Sequence, residues 1–166
     1  MSELGIERPT QEVEREEQIS HLMRDLLTGL PDGAATVGVR HDRSGAVYYL
    51  KPSNNKSAEF GIHYDGCVDV FFGKFGTTFE VDFGYGLPNA DFEAALAFAE
   101  KVGRAVIAGR CKERAGFTSI RGTVEVDGKP YRATHFFYFR LFPKTIRYAP
   151  YCAESAKAQG NLLAQL

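Results

Sequence analysis

No stretch of about 18 consecutive apolar residues occurs in this 166-residue chain, so no segment reads as a membrane-spanning helix. The first residues also lack the zones of a secretory signal. The first apolar cluster, Leu22 to Leu30, is broken by Arg24 and Asp25 and follows a glutamate-rich stretch. Cysteine is scarce: Cys67, Cys111 and Cys152 are widely spaced and form no C-x-x-C pair. An odd, scattered set argues against both a disulfide framework and a structural zinc site. The expectation is a cytoplasmic protein with three free thiols.

The usual signatures of catalysis are missing too. His21, His41, His63 and His135 show neither H-x-x-x-H nor H-E-x-x-H spacing, and no serine sits in a G-x-S-x-G elbow. His63 and Asp65 could offer two metal ligands, but beside a tight turn the aspartate reads as backbone support. Gly84-x-Gly86 lies between a strand and a helix, where a phosphate would find free N–H groups. Asn89 stands at the third glycine position, however, and no lysine follows. Cys67 follows His63 by four residues, but strand alternation is expected to turn the two apart. No catalytic residue, metal site or cofactor is assigned.

What is present is an ordinary globular composition, 44% hydrophobic and 25% charged, rich in glycine (17) and phenylalanine (13). The net charge of −1 conceals a split. Residues 1–100 hold 8 Lys and Arg against 17 Asp and Glu (net −9), and residues 101–166 hold 12 against 4 (net +8). Such a split can mark a nucleic-acid surface, or two halves that neutralise each other in one fold.

Helical spacing of Ile19, Leu22, Met23, Leu26, Leu27 and Leu30 predicts a first helix from Thr10, after a frayed 1–9 segment. Five strands follow at 36–41, 46–51, 58–64, 67–72 and 77–83. A second helix starts near Asn89, with Phe92, Ala95, Leu96, Ala99, Val102, Val106 and Ile107 on its buried stripe. Two strands at 117–126 and 130–142 flank Asp127-Gly128, a strong hairpin signal. A short extended piece at 145–148 and a weak helix from Ala153 close the chain. The predicted fold is a single α+β domain over 1–166. Its curved antiparallel sheet of about six to eight strands is covered by helices on one face, in the order α-β5-α-β2-α.

A two-residue Asp65-Gly66 turn would pair Tyr64 with Cys67 and Ile62 with Asp69. The turn at 73–76 would pair Val70 with Phe79 and Asp69 with Glu80. One face then collects Val68, Val70, Phe72, Phe79 and Val81 as core. The open face collects Cys67, Asp69, Phe71, Glu80 and Asp82, with Ile62 and Tyr64 beside them, from one hairpin, and Arg121, Glu125, Arg132, Thr134, Phe136, Tyr138 and Arg140 from the other. Asp69 opposite Glu80 is unfavourable and calls for compensation, from Arg121 or Arg132 or from a basic partner.

These features lead to the expectation of a non-enzymatic protein-binding domain that engages another protein through a charged, aromatic open face. A bacterial inhibitor or immunity-type protein is one concrete form, and a homodimer is left open. The alternative is an enzyme or small-ligand binder with a cleft between sheet and helices. A single-stranded nucleic-acid binder ranks third. Its arginine–aromatic platform lacks the glycines of the RNP1 pattern and would share its sheet with an acidic hairpin.

Overall fold

Alternating apolar residues, punctuated by glycine turns, generate nine strands in the computed structural model, which describes residues 10–80, 89–136 and 142–152. The chain runs α1 (Thr10–Asp25), β1 (Ala35–Asp42), β2 (Gly45–Pro52), β3 (Phe60–Tyr64), β4 (Val68–Phe72), β5 (Thr77–Glu80), α2 (Asn89–Ile107), β6 (Cys111–Ala115), β7 (Ser119–Val126), β8 (Lys129–Phe136) and β9 (Lys144–Arg147). The α+β class and the antiparallel pairing are as expected. The single sheet is not: the strands form two sheets, β1-β2-β3-β4-β5 and β8-β7-β6-β9. Among the described residues four strands follow α2: the two expected, β9 where a short extended piece was expected, and β6, which was not expected. The helix expected from Ala153 lies outside the described residues, as do the Gly84-x-Gly86 loop and Val81. No helix among the described residues is long and apolar enough to cross a membrane.

One register differs from expectation, and burial explains why. Tyr64 pairs with Val68, His63 with Asp69 and Ile62 with Val70, so the β3–β4 turn has three residues, 65–67, not two. Gly66 takes the left-handed conformation that this longer turn requires (φ 101°). A two-residue turn would have set Ile62 opposite Asp69, and one of them would sit on the wrong face. With the extra residue, Phe60, Ile62, Tyr64, Val68, Val70 and Phe72 all reach the core. Ile62 and Tyr64 therefore leave the expected open face: both are buried, and Tyr64 packs edge-on against Phe92, with ring centroids 5.9 Å apart. The other two hairpin registers hold, with Asp69 opposite Glu80 and Val126 opposite Lys129.

The helices cover one side of this assembly. α1 packs on β2, and α2 lies across β3, β4 and β7, so one apolar cluster is shared by both sheets. The sheets meet where β5 and its preceding turn cross the inner face of the second sheet. Thr78 N lies 3.0 Å from His135 Nε2 on β8. The Thr77 side chain rests on Gly122 of β7, where an added Cβ would come within 2.2 Å of it. On β6, the fully buried Glu113 accepts N–H bonds from Phe75 (3.0 Å) and Thr77 (3.2 Å) and a hydroxyl bond from Thr77 (2.6 Å). Just past β9, the Tyr148 hydroxyl donates to Glu113 and accepts from Lys74 N (2.6 Å). β5 and the turn before it thus cross β8, β7, β6 and the end of β9, and none of the described elements packs on the far face of the second sheet.

Candidate binding face on the second sheet

Strand alternation sorts β6 cleanly. Cys111, Glu113 and Ala115 point inward and are buried, while Lys112 and Arg114 point outward and are exposed. The pairings extend this across the sheet. Arg114 stands directly opposite Arg121, Lys112 opposite Arg147 and Thr123, and Thr123 opposite Arg132. Five exposed cations therefore share the outer face, with Glu125 as its acid. Among the described residues none of the five forms an ion pair. Arginine directly across from arginine destabilises a sheet, so this face is electrostatically frustrated in the free protein. Arg110, Lys112, Arg132 and Arg147 also line a shallow groove of about 390 Å³ on it.

Aromatic side chains gather at one end of the same sheet. Ser119 pairs with Phe136 and Ala115 with Lys144, which brings the β6–β7 turn, the end of β8 and the start of β9 together. Phe117, Phe136 and Phe142 project there and are 53%, 84% and 79% exposed. Arginine and phenylalanine in adjoining zones are the residue types enriched where protein surfaces dock.

The inward face of β6 offers no nucleophile. Burial, then the neighbouring Glu113, pushes the Cys111 thiol up to about 12, far above the range in which a thiolate forms. Burial and the bond to Glu113 likewise raise Tyr148. Among the described residues no three His, Cys, Asp or Glu side chains converge as metal ligands.

The site residues expected from the sequence divide between two surfaces. Arg121 and Arg132 lie on the outer face just described. Asp69 and Phe71 lie half-buried on the outer face of the first sheet, where the Phe71 ring covers Gly61. Glu80 pairs with Asp69 there through its backbone. Tyr64 is in the core. Asp82, Tyr138 and Arg140 lie outside the described residues. The acidic hairpin and the arginine hairpin thus belong to different sheets, and Arg121 and Arg132 are not what compensates Asp69. His63 approaches it instead, with Nδ1 at 3.6 Å.

His63 also reaches Ser44 at the β1–β2 turn, producing a Ser–His–Asp succession. Its Nε2 is 3.2 Å from the Ser44 carbonyl oxygen and 3.5 Å from the hydroxyl. The shorter contact is one that only a protonated Nε2 makes, which leaves no lone pair to activate the serine. The histidine ties two turns together and is not poised as a base. Lys112, Arg114 and Arg147 escaped the sequence reading, because β6 alternates with a glutamate on its buried side and so does not look amphipathic.

Comparison with protein-family models, with curated proteins and with solved structures gave no match.

Proposed function

We propose that the outer face of the second sheet docks a partner protein with a carboxylate-rich surface, an inhibitor or immunity-type complex being one concrete form. The observation that carries this reading is Arg114 directly opposite Arg121, with Lys112 opposite Arg147 beside them. Carboxylates from a partner relieve that repulsion, speed encounter and fix orientation. Phe136, beside this charge field, supplies the apolar anchor that charge alone lacks. A single-stranded nucleic acid is the second reading, favoured by the separation of the acidic hairpin onto the other sheet. The overall charge of −1 and a pI near 6.4 weigh against it, since polyanion binders carry a strong positive excess.

The test compares wild type with Arg121→Glu and Phe136→Ala as bait, in nuclease-treated extract of the source cells. Proteins bound by wild type should be lost from both variants, with binding weakened by about tenfold or more. Arg121→Glu should at the same time raise the melting temperature, because a like-charge pair with Arg114 becomes an opposite-charge pair worth about 0.2–1 kcal/mol. Equal capture by all three baits would overturn the reading. Binding to a labelled 20-mer oligonucleotide, lost in Arg121→Glu, would transfer the face to nucleic acid.

A further inference from the structure

A second basic feature lies around the edge of β9, adjoining the outer face through Arg147 and beginning at Lys144 near the aromatic end. There a cleft of about 750 Å³ opens between the β2–β3 loop, the beginning of the β4–β5 turn and β9 itself. Lys51 lines it from the end of β2, Lys56 from the loop, Lys74 from the turn, and Lys144 and Arg147 from β9. Glu59 is the acidic residue in the lining, and none of the five cations forms an ion pair among the described residues.

Charge alone does not make a site, but one wall holds a buried donor. Asn54 is 3% exposed. Its Oδ1 accepts the Lys56 N–H at 2.8 Å, which fixes the orientation of the amide. Nδ2 is then left buried without a partner among the described residues. The walls are also tied to one another. Ala149 N donates to Lys56 O (3.0 Å), Ser57 Oγ to Pro150 O (3.1 Å) and Lys74 N to the Tyr148 hydroxyl (2.6 Å). The cleft is therefore preformed, so little ordering opposes binding.

We propose that this cleft binds a compact, polyphosphorylated small molecule. Its volume lies within the range of about 300–1,000 Å³ typical of ligand sites. Lysines bind phosphoryl oxygens as point charges, and four of them around one cavity suit several phosphoryl groups better than one. Among the described residues Tyr148 is the one aromatic in the lining, and it is buried and engaged with Glu113. Recognition therefore rests on the phosphate chain and not on stacking of a base.

Calorimetry of the whole chain with inorganic phosphate, tripolyphosphate and ATP tests this at physiological salt. Tripolyphosphate should bind at least about tenfold more tightly than phosphate, and ATP should gain little over it. Lys56→Glu and Lys144→Glu, both exposed positions, should each weaken tripolyphosphate about tenfold or more. Asn54→Asp keeps the acceptor for Lys56 N–H, replaces the donor by a negative charge, and should weaken it similarly. Should that variant melt early, the lysine variants alone decide the matter. Arg121→Glu, on the outer face, should leave the affinity within about twofold, so the cleft and the docking face stand or fall separately. Absence of tripolyphosphate binding at millimolar concentration would overturn the proposal. Equal weakening by Arg121→Glu and Lys56→Glu would do so too, since it reveals a diffuse charge effect.

Discussion

Glu113→Ala should destabilise the protein by about 3–5 kcal/mol, a large share of the roughly 5–15 kcal/mol that holds a domain folded. The carboxylate is fully buried and is saturated by four donors. Oε1 takes the Thr77 N–H and hydroxyl, and Oε2 takes the Phe75 N–H and the Tyr148 hydroxyl. Alanine leaves these donors facing a void, and each unsatisfied buried group costs about 1–3 kcal/mol before relaxation. Glutamine is no remedy, because its NH₂ would face two donors where an acceptor is needed. Tyr148→Phe removes one bond to the acid and the acceptor of the Lys74 N–H, and should cost about 1–3 kcal/mol. Urea unfolding of the two single variants and the double reads these values, and the double should fall short of their sum. A loss below about 1 kcal/mol for Glu113→Ala would mean that the turn and β6 are not joined through this side chain.

The second large effect is expected at Phe60, with Phe60→Ala costing about 3–5 kcal/mol. Phe60 is fully buried on β3, where both helices converge on the first sheet. Gly103 of α2 lies so close that an added Cβ would stand 3.1 Å from the Phe60 ring and 2.7 Å from Leu26, just past the end of α1. Surroundings this tightly interlocked collapse poorly around a deleted ring, which places the substitution at the costly end of its class. Phe136→Ala, removing a ring that is 84% exposed, should stay within about 0.5 kcal/mol. Thermal melts of the pair check both values. Similar losses from the two would contradict the division into a packed inner side and an exposed aromatic end.

Most elements were legible in the sequence because a single periodicity governed each. The stripe from Phe92 to Ile107 marks α2, and Asp127-Gly128 marks a two-residue hairpin whose residues both take positive φ (50° and 73°). The Asp69–Glu80 opposition followed from counting across a four-residue turn. Turn length, by contrast, is a choice that local sequence leaves open. Asp65-Gly66 favours two residues, and only the joint burial of Ile62 and Tyr64 with Val68 and Val70 selects three. β6 was hidden because Glu113 occupies a core position, and its partners Phe75, Thr77 and Tyr148 are remote in the chain. The division into two sheets was hidden for the same reason. Half of the candidate face came into view only with β6 and β9, since Arg121 and Arg132 could be sorted by a hairpin whereas Lys112, Arg114 and Arg147 could not.

The seam at Glu113 also bears on the order in which the chain folds. β1 to β5 join as consecutive hairpins, each closing a short loop, and such local pairings form early. The bonds made by Glu113 span 35 to 38 residues and need both sheets in place before they gain anything. They belong late, after the rate-limiting barrier. Stopped-flow measurements on Glu113→Ala should then find refolding nearly as fast as in wild type and unfolding much faster, with a φ-value below about 0.3. A φ-value near 1 would make the seam part of the nucleus. If the seam closes late, this one carboxylate governs how long the native state lasts once formed, and has little say in how quickly it is reached.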